Sequence, residues 1–187
     1  MSEPESVSRC RERARDAGFE LSCEPGIGRL LATLAAAVPK GGRILELGTG
    51  AGVGLAWITS GLDGRADLEV VSVESDATML GLAAAEDWPD TVRLVQGDGA
   101  EEVRRQGDFD LVFADAPGGK LEGLGDTIAC LTPGGVLVVD DMDPALHTDD
   151  GFGEALERVR DDIVGDRRLV AAELAFSSGA IVATRRA

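Results

Sequence analysis

Short apolar runs alternate with helix-forming stretches along most of the chain, and this alternation constrains the fold more than any other feature. Five runs have the length and composition of buried parallel strands: RILELG, LEVVSVE, VRLVQGD, FDLVFAD and GGVLVVDD. Helix-forming composition fills the stretches between them, at 53–60, 76–87, 100–106 and 121–130. Repeated strand–helix units predict an α/β fold with helices on both faces of a mostly parallel sheet.

The last third of the chain departs from this alternation. After a helical segment, GEALERVRDDIV, two apolar runs, RLVAAELAF and GAIVATRR, are separated only by Ser177, Ser178 and Gly179. So short a link cannot hold a crossover helix, and the two runs must therefore form an antiparallel hairpin. We predict a Rossmann-like, doubly wound sheet of seven strands, mostly parallel, that ends in this hairpin.

The N-terminal part of the chain predicts two helices before the first strand. Residues 1–20 are polar and predict a loosely attached helical extension, whereas CEPGIGRLLATLAAAVPK predicts a helix that begins near Pro25. We expect residues 21–187 to form a single domain, since 187 residues suffice for one core. No apolar run reaches the roughly 18 to 20 residues of a membrane span, and no signal peptide is visible. A cytoplasmic protein without a membrane partner is expected.

Charge and composition exclude several classes of function. The formal net charge of −16 disfavours a nucleic-acid partner, because such a surface repels phosphates. Three cysteines with no CxxC pair argue against a disulfide framework and a thiolate zinc site. The single histidine, His147, excludes multi-histidine metal sites and remains a minor candidate for a catalytic base.

A glycine-rich stretch, ELGTGAGVG, directly follows the first predicted strand, where doubly wound sheets bind ligands. It does not match the dinucleotide pattern, because counting from Gly48 places Val53 at the third glycine position, and the Walker lysine is absent. Glu46, two residues before the first glycine, would repel a pyrophosphate but suits a cation. The stretch therefore predicts a loop whose backbone approaches a positively charged cofactor, at Gly48, Thr49, Gly50 and Gly52.

Acidic residues also end the next four predicted strands, at Glu74, Asp98, Asp115 and the pair Asp140 and Asp141. Glu74 can accept hydrogen bonds from a ribose diol, and Asp98 can accept one from an exocyclic amine. A ligand with a ribose, an amine-bearing base, a positive centre and no phosphate meets these demands. S-adenosylmethionine is such a ligand.

The motifs LELGTGAGVG, VSVE and PGGVLVVDD, together with the final hairpin, resemble class I S-adenosylmethionine-dependent methyltransferases. Within that class, the chain resembles small bacterial O-methyltransferases of the catechol and caffeoyl-CoA type. The resemblance implies methyl transfer to a hydroxyl oxygen of a small molecule. It also implies cofactor contacts at the strand ends, from Glu46, Gly48, Thr49, Gly50, Gly52, Glu74, Ser75, Gly97, Asp98, Gly99 and Asp115.

The resemblance further implies a divalent cation, Mg²⁺ or another, held by Asp115, Asp140 and Asp141. Such a metal would lower the pKa of the acceptor hydroxyl. The chain departs from the family pattern, which often has Asp-Asn after strand five and a lysine three residues after the strand-four aspartate. Lys120 lies in a longer loop and is a candidate general base; without a metal, Asp115 or Asp141 is the candidate.

Other functions stay open. A nicotinamide-dependent oxidoreductase is one alternative, since Glu74 suits the NAD ribose equally well. A catalytically silent cofactor-binding module is a second, and a transferase for cationic acceptors is a third. A homodimer partner that completes a small acceptor pocket is also possible.

Overall fold

The computed structural model of the protein describes residues 3–146 and 151–187. Its strands are β1 Arg43–Leu47, β2 Glu69–Glu74, β3 Val92–Gln96, β4 Phe109–Ala114, β5 Leu131–Val139, β6 Leu169–Leu174 and β7 Ala180–Arg185. They form a sheet with the order β3-β2-β1-β4-β5-β7-β6. β7 runs antiparallel to β5 and β6, and the other neighbouring strands are parallel. The predicted seven-stranded sheet ending in an antiparallel hairpin is therefore confirmed.

Helices connect the strands on both sides of the sheet. They are α1 Glu5–Asp16, α2 Pro25–Ala37, α3 Val53–Leu62, α4 Ala77–Ala83, α5 Gly99–Gln106, α6 Pro117–Lys120, α7 Leu124–Ala129 and α8 Phe152–Gly165, with a 3₁₀ turn at Pro144–Leu146. α6 is a kinked turn, because Gly118 and Gly119 have non-helical backbone angles. Across residues 3–146 and 151–187, no helix has both the length and the apolar character needed to cross a membrane.

The central strands β1, β2 and β4 are buried on both faces of the sheet, which explains why they read as continuous apolar runs. Successive side chains of a strand point to opposite faces, so Ile44 of β1 packs with α1, α2 and α3, whereas Leu45 packs with α5, α7 and α8. β4 repeats this division, with Phe113 on the first face and Val112 on the second. Packing on both faces holds the parallel strands side by side, with their carboxyl ends along one edge of the sheet. The predicted site residues lie along this edge.

α1 is packed onto the rest of the protein, so the prediction of a loosely attached N-terminal helix is wrong. Although α1 is mostly polar, three residues on one side of it are apolar and buried: Val7, Cys10 and Ala14. Arg9 and Arg13 of the same helix donate hydrogen bonds to the carboxylate of Glu86, which is itself buried. The boundary expected at residue 20 stays a prediction.

Replacing Glu86 by glutamine is expected to lower the free energy of unfolding by about 1–2 kcal/mol near neutral pH, because two charge-assisted hydrogen bonds are lost. The hydrogen bond from Arg9 is the main cause that holds the pKa of Glu86 below its usual range. A depressed folded-state pKa stabilises the protein above the ordinary glutamate pKa, and this contribution disappears as the pH falls through the folded value. Urea unfolding of wild type and Glu86→Gln at neutral and acidic pH measures the effect.

The matched control is Glu157→Gln on the exposed face of α8, which should leave the free energy of unfolding unchanged. A difference between wild type and Glu86→Gln that stays constant down to about pH 3 would contradict the ionic origin of the effect.

α2 and α3 approach each other closely because glycine occupies two of their contact points. A Cβ atom on Gly28 would lie 2.2 Å from the indole ring of Trp57. A Cβ atom on Gly61 would lie 2.1 Å from the carbonyl oxygen of Ala32. This pair of helices covers the face of the sheet next to the glycine-rich loop.

Candidate functional site

The candidate site lies at the carboxyl ends of β1 and β4, where the strand order reverses. At such a switch point the connections leave toward opposite sides and a crevice opens between the strands. The backbone N–H of Asp115 donates to the carbonyl oxygen of Leu47 at 2.9 Å. Gly48 passes so close to β4 that a Cβ atom on it would lie 2.8 Å from the carbonyl oxygen of Asp115. Only glycine therefore fits at the centre of this crevice.

Three glycines of the loop after β1 adopt backbone conformations that other residues rarely take. Their φ values are 102° for Gly48, 52° for Gly50 and 90° for Gly52. The N–H groups of Gly48 and Thr49 donate to the carbonyl oxygen of Val73, at 2.9 and 3.2 Å. The loop is thus anchored to β2 and leaves bare backbone along the crevice.

A cavity of about 150 Å³ opens on one side of Gly48. At its edge, Glu74 accepts hydrogen bonds from the N–H groups of Gly50 at 2.8 Å and Asp76 at 2.9 Å, which fix the orientation of its carboxylate. The cavity collects most of the residues predicted to bind a cofactor. Its lining consists of Gly48, Val73, Glu74, Ser75, Gly97, Asp98, Gly99, Ala116, Pro117 and Gly118.

Asp98 combines a structural role with a place at this cavity. Its Oδ1 accepts a hydrogen bond from the N–H of Glu101 at 3.0 Å, so the side chain caps the N-terminus of α5. The next residue, Gly99, lies so near the loop after β4 that a Cβ atom on it would be 2.4 Å from the carbonyl oxygen of Gly118. The cavity is therefore a narrow slot between two stretches of backbone.

The segment between α1 and α2 covers the other side of the glycine loop. A Cβ atom on Gly50 would lie 3.1 Å from the ring of Phe19. Beneath this segment is a cavity of about 20 Å³, which Gly48, Thr49 and Asp115 also line. A larger cavity of about 410 Å³, between α1 and residues 18–25, shares Phe19, Ser22 and Cys23 with the smaller one.

Glu46 faces the interior behind the glycine loop. It is 0% exposed, its Oε2 accepts a hydrogen bond from Ser72 at 2.5 Å, and the Ser72 hydroxyl lies 2.5 Å from that of Thr49. Glu46 lines none of the three cavities. Burial raises the pKa of Glu46 to about 8. Glu46 is thus connected to the glycine loop through Ser72 and Thr49, and its direct contact with a cofactor stays a prediction.

Asp115, Lys120, Asp140 and Asp141 meet at the ends of β4 and β5. Lys120 is 3% exposed, and its Nζ donates to the carbonyl oxygen of Asp140 at 3.1 Å and lies 4.0 Å from Asp141 Oδ2. Asp140 Oδ1 accepts hydrogen bonds from Ser178 Oγ at 2.6 Å and from the N–H of Asp141 at 2.8 Å. We call these four residues, three carboxylates and one ammonium group, the acid–lysine cluster.

Burial and repulsion between carboxylates raise the pKa values of two members of the cluster, Asp115 and Asp140. Burial, followed by the charge of Asp140, raises the pKa of Asp115 well above its usual range, and Lys120 opposes the shift. Burial raises the pKa of Asp140 to about 6, although the hydrogen bond from Ser178 favours its ionised form. A carboxyl group with a raised pKa holds its proton more strongly and is a stronger base when ionised.

The cluster does not fit the divalent cation that the sequence predicts at Asp115, Asp140 and Asp141. Within the described ranges, no three acidic, histidine or cysteine side chains are arranged to hold a metal ion. Asp140 Oδ1 is already engaged by two donors, and the ammonium group of Lys120 lies beside the pair. Asp141 has a left-handed backbone conformation (φ 54°), and its side chain is 41% exposed.

Sequence reasoning missed several residues of the site. Phe19 lies in no motif, and Ser72 lies within the motif VSVE, in which only Glu74 is predicted to contact a ligand. Ser178 could have been found, because a hairpin antiparallel to β5 must place its turn at the carboxyl ends of the parallel strands. His147, the minor candidate for a base, lies outside the described residues.

Comparison with known proteins identifies a family. The family described as "Methyltransferase domain" matches residues 45–142. A protein of Mycobacterium avium (strain 104), provisionally named an O-methyltransferase, is 32% identical and aligns with 99% of this chain and 87% of its own length. A protein of Mycobacteroides abscessus with the same provisional name is 31% identical, over 99% of this chain and 90% of its own length.

Two solved structures share the fold. The O-methyltransferase TomG from Streptomyces achromogenes, in complex with S-adenosylmethionine, is 22% identical, covers 100% of this chain and 92% of its own, and has a TM-score of 0.83. An O-methyltransferase from Bacillus cereus, in complex with S-adenosylhomocysteine, is 20% identical. The alignment covers 100% of this chain and 93% of that protein, with a TM-score of 0.85. None of these four proteins is an oxidoreductase, so they lend no support to the nicotinamide alternative. The family expected from the motifs is confirmed: the chain belongs to the class I S-adenosylmethionine-dependent methyltransferases, among the O-methyltransferases.

Proposed function

We propose that this protein transfers the methyl group of S-adenosylmethionine to a hydroxyl oxygen of a small molecule, with the adenosine part of the cofactor in the cavity beside Glu74. The observation that carries the proposal is the lining of that cavity. A fixed carboxylate, a second acidic residue and bare glycine backbone line it, and no lysine or arginine is among its described residues. Such a wall accepts hydrogen bonds from ribose hydroxyls and repels phosphate groups.

The chain's own residues divide the binding of the cofactor between them. Glu74 keeps free lone pairs for the ribose hydroxyls after accepting its two backbone hydrogen bonds. Ser75 and the slot at Gly97, Asp98 and Gly99 would surround the base. The backbone of Gly48, Thr49, Gly50 and Gly52 would follow the methionine part. When bound, the cofactor supplies an electrophilic methyl group on a sulfonium sulfur.

The acceptor has space on the far side of Phe19. The cavity of about 410 Å³ between α1 and residues 18–25 has the size of a small-molecule site and adjoins the smaller cavity that Asp115 lines. Asp115 lines that smaller cavity, and its raised pKa makes its carboxylate a stronger base toward the acceptor hydroxyl than an ordinary aspartate. Asp141, which is partly exposed, is the second candidate for this base. Holding the hydroxyl in line with the methyl group would supply much of the rate enhancement.

Replacing Glu74 by glutamine is expected to weaken binding of S-adenosylhomocysteine by about tenfold to a hundredfold, because a charged acceptor of ribose hydrogen bonds is lost. Isothermal titration calorimetry measures this affinity. The matched control is Glu69→Gln at the opposite end of β2, which should bind S-adenosylhomocysteine as the wild type does. Uptake of NADH without uptake of S-adenosylhomocysteine by the wild type would refute the proposed function.

Catalysis itself is tested by single turnover. Wild-type protein loaded with methyl-labelled S-adenosylmethionine is expected to label an acceptor from a library of phenols, catechols and aliphatic alcohols. Tight binding of S-adenosylhomocysteine without any labelled product across the library would instead favour a catalytically silent cofactor-binding module.

The setting of the enzyme belongs to the same proposal. We propose a cytoplasmic bacterial enzyme that acts without nucleic acid, since its net charge is −16. Residues 21–187 would form the cofactor-binding domain, and the extension at 1–20 would help to cover it through Phe19. A homodimer that completes the acceptor pocket stays a prediction.

A further inference from the structure

Lys120 is delivered to the acid–lysine cluster by a specific turn. Gly119 has a left-handed backbone (φ 95°), and a Cβ atom there would lie 2.3 Å from Leu47 Cδ1. The carbonyl oxygen of Gly119 accepts a hydrogen bond from Thr127 Oγ1 at 2.8 Å, which ties the turn to α7. The chain after β4 therefore folds back, and the lysine side chain enters the interior.

The polar partners of the Lys120 ammonium group belong to acidic residues. Its hydrogen bond goes to the backbone of Asp140, its ion pair to Asp141, and its field acts on Asp115. A buried ammonium group is stable only when such partners compensate for its lost hydration. Conversely, three neighbouring carboxylates repel one another unless a cation lies among them.

We infer that the Lys120 ammonium group supplies the positive charge at the ends of β4 and β5, and that no divalent cation binds there. A doubly charged ion beside a buried ammonium group would meet strong repulsion at low dielectric. The protein's own side chain thus occupies the position for which the sequence predicts a metal. This inference has a consequence for catalysis, namely that methyl transfer proceeds without a divalent cation, and that consequence rests on the proposed function.

The test uses Mn²⁺ as the probe, with electron paramagnetic resonance as the readout, on the full chain in the presence of S-adenosylhomocysteine. Lys120→Ala removes the ammonium group, and we expect Mn²⁺ to bind this variant at least about tenfold more tightly than the wild type. Lys120→Arg keeps the charge and should bind Mn²⁺ as weakly as the wild type. The matched control is Lys40→Ala, since Lys40 is the chain's other lysine and is exposed.

A double variant, Lys120→Ala with Asp141→Asn, locates the effect, because the gained Mn²⁺ affinity should fall again when a carboxylate is removed. Mn²⁺ binding to the wild type that Asp141→Asn abolishes would overturn the inference. Equal Mn²⁺ affinities of wild type and Lys120→Ala would also overturn it, because the lysine would then not be what excludes the ion. A wild type that binds no S-adenosylhomocysteine refutes the proposed function separately.

Discussion

Replacing Gly61 by alanine is expected to lower the free energy of unfolding by about 3 kcal/mol, because the added methyl group has no space. Its Cβ atom would lie 2.1 Å from the carbonyl oxygen of Ala32, and the obstructing atom belongs to the backbone of α2. No rotamer change can relieve that overlap, so the two helices must separate. Separation would open the tightly packed layer around Trp57. Urea unfolding followed by circular dichroism measures the loss.

The matched control is Gly81→Ala, at another helical glycine, in α4. Nothing lies within 4 Å of a Cβ atom at that position. Alanine has the higher helix propensity, so this variant should be more stable than the wild type by about 0.5–1 kcal/mol. Two variants that shift the free energy of unfolding in the same direction would contradict the packing argument.

The free energy of unfolding is expected to decrease as the pH rises from about 4.5 toward 8, and Glu46→Gln should remove a large part of this dependence. Burial raises the folded-state pKa of Glu46 from 4.5 to about 8. Between these values the folded state holds a proton that the unfolded state has released. Stability is therefore greatest below the unfolded pKa and is lost with rising pH, by about 1.4 kcal/mol per pH unit, or about 3 kcal/mol by neutrality.

Urea unfolding of both proteins across this pH range provides the measurement. Asp115 and Asp140 also have raised pKa values and contribute in the same direction, so the informative quantity is the difference between the two profiles. The control, Glu157→Gln on the surface of α8, should reproduce the wild-type profile. Parallel profiles for wild type and Glu46→Gln would show that Glu46 is ionised in the folded protein.

The strands and the edge of the candidate site were predictable because both depend on local sequence. Apolar runs such as LEVVSVE mark strands buried on both faces, and parallel strands must bring their carboxyl ends together. Those two facts suffice to place Glu74, Asp98 and Asp115 along one edge. The short link at 177–179 likewise determined the antiparallel hairpin.

The directions of individual side chains could not be predicted, because they depend on contacts between distant segments. Glu46 turns inward since Ser72, on the neighbouring strand, offers it a hydrogen bond. Lys120 enters the interior through a turn held by Thr127 of α7. α1 is held by Glu86, more than 70 positions away in sequence. The sequence therefore shows where charged residues follow the strands, but it does not show which hydrogen-bond partner each side chain has in the folded protein.

The position of β7 affects how the protein is made. β7 follows β6 in sequence but lies between β5 and β6 in the sheet. On the ribosome, β5 therefore remains an open, apolar edge until translation has passed Arg185, and such edges invite aggregation. Ser178 reaches Asp140 only when this strand is inserted, so a nascent chain without β7 would also lack the hydrogen bond that Asp140 Oδ1 accepts from Ser178.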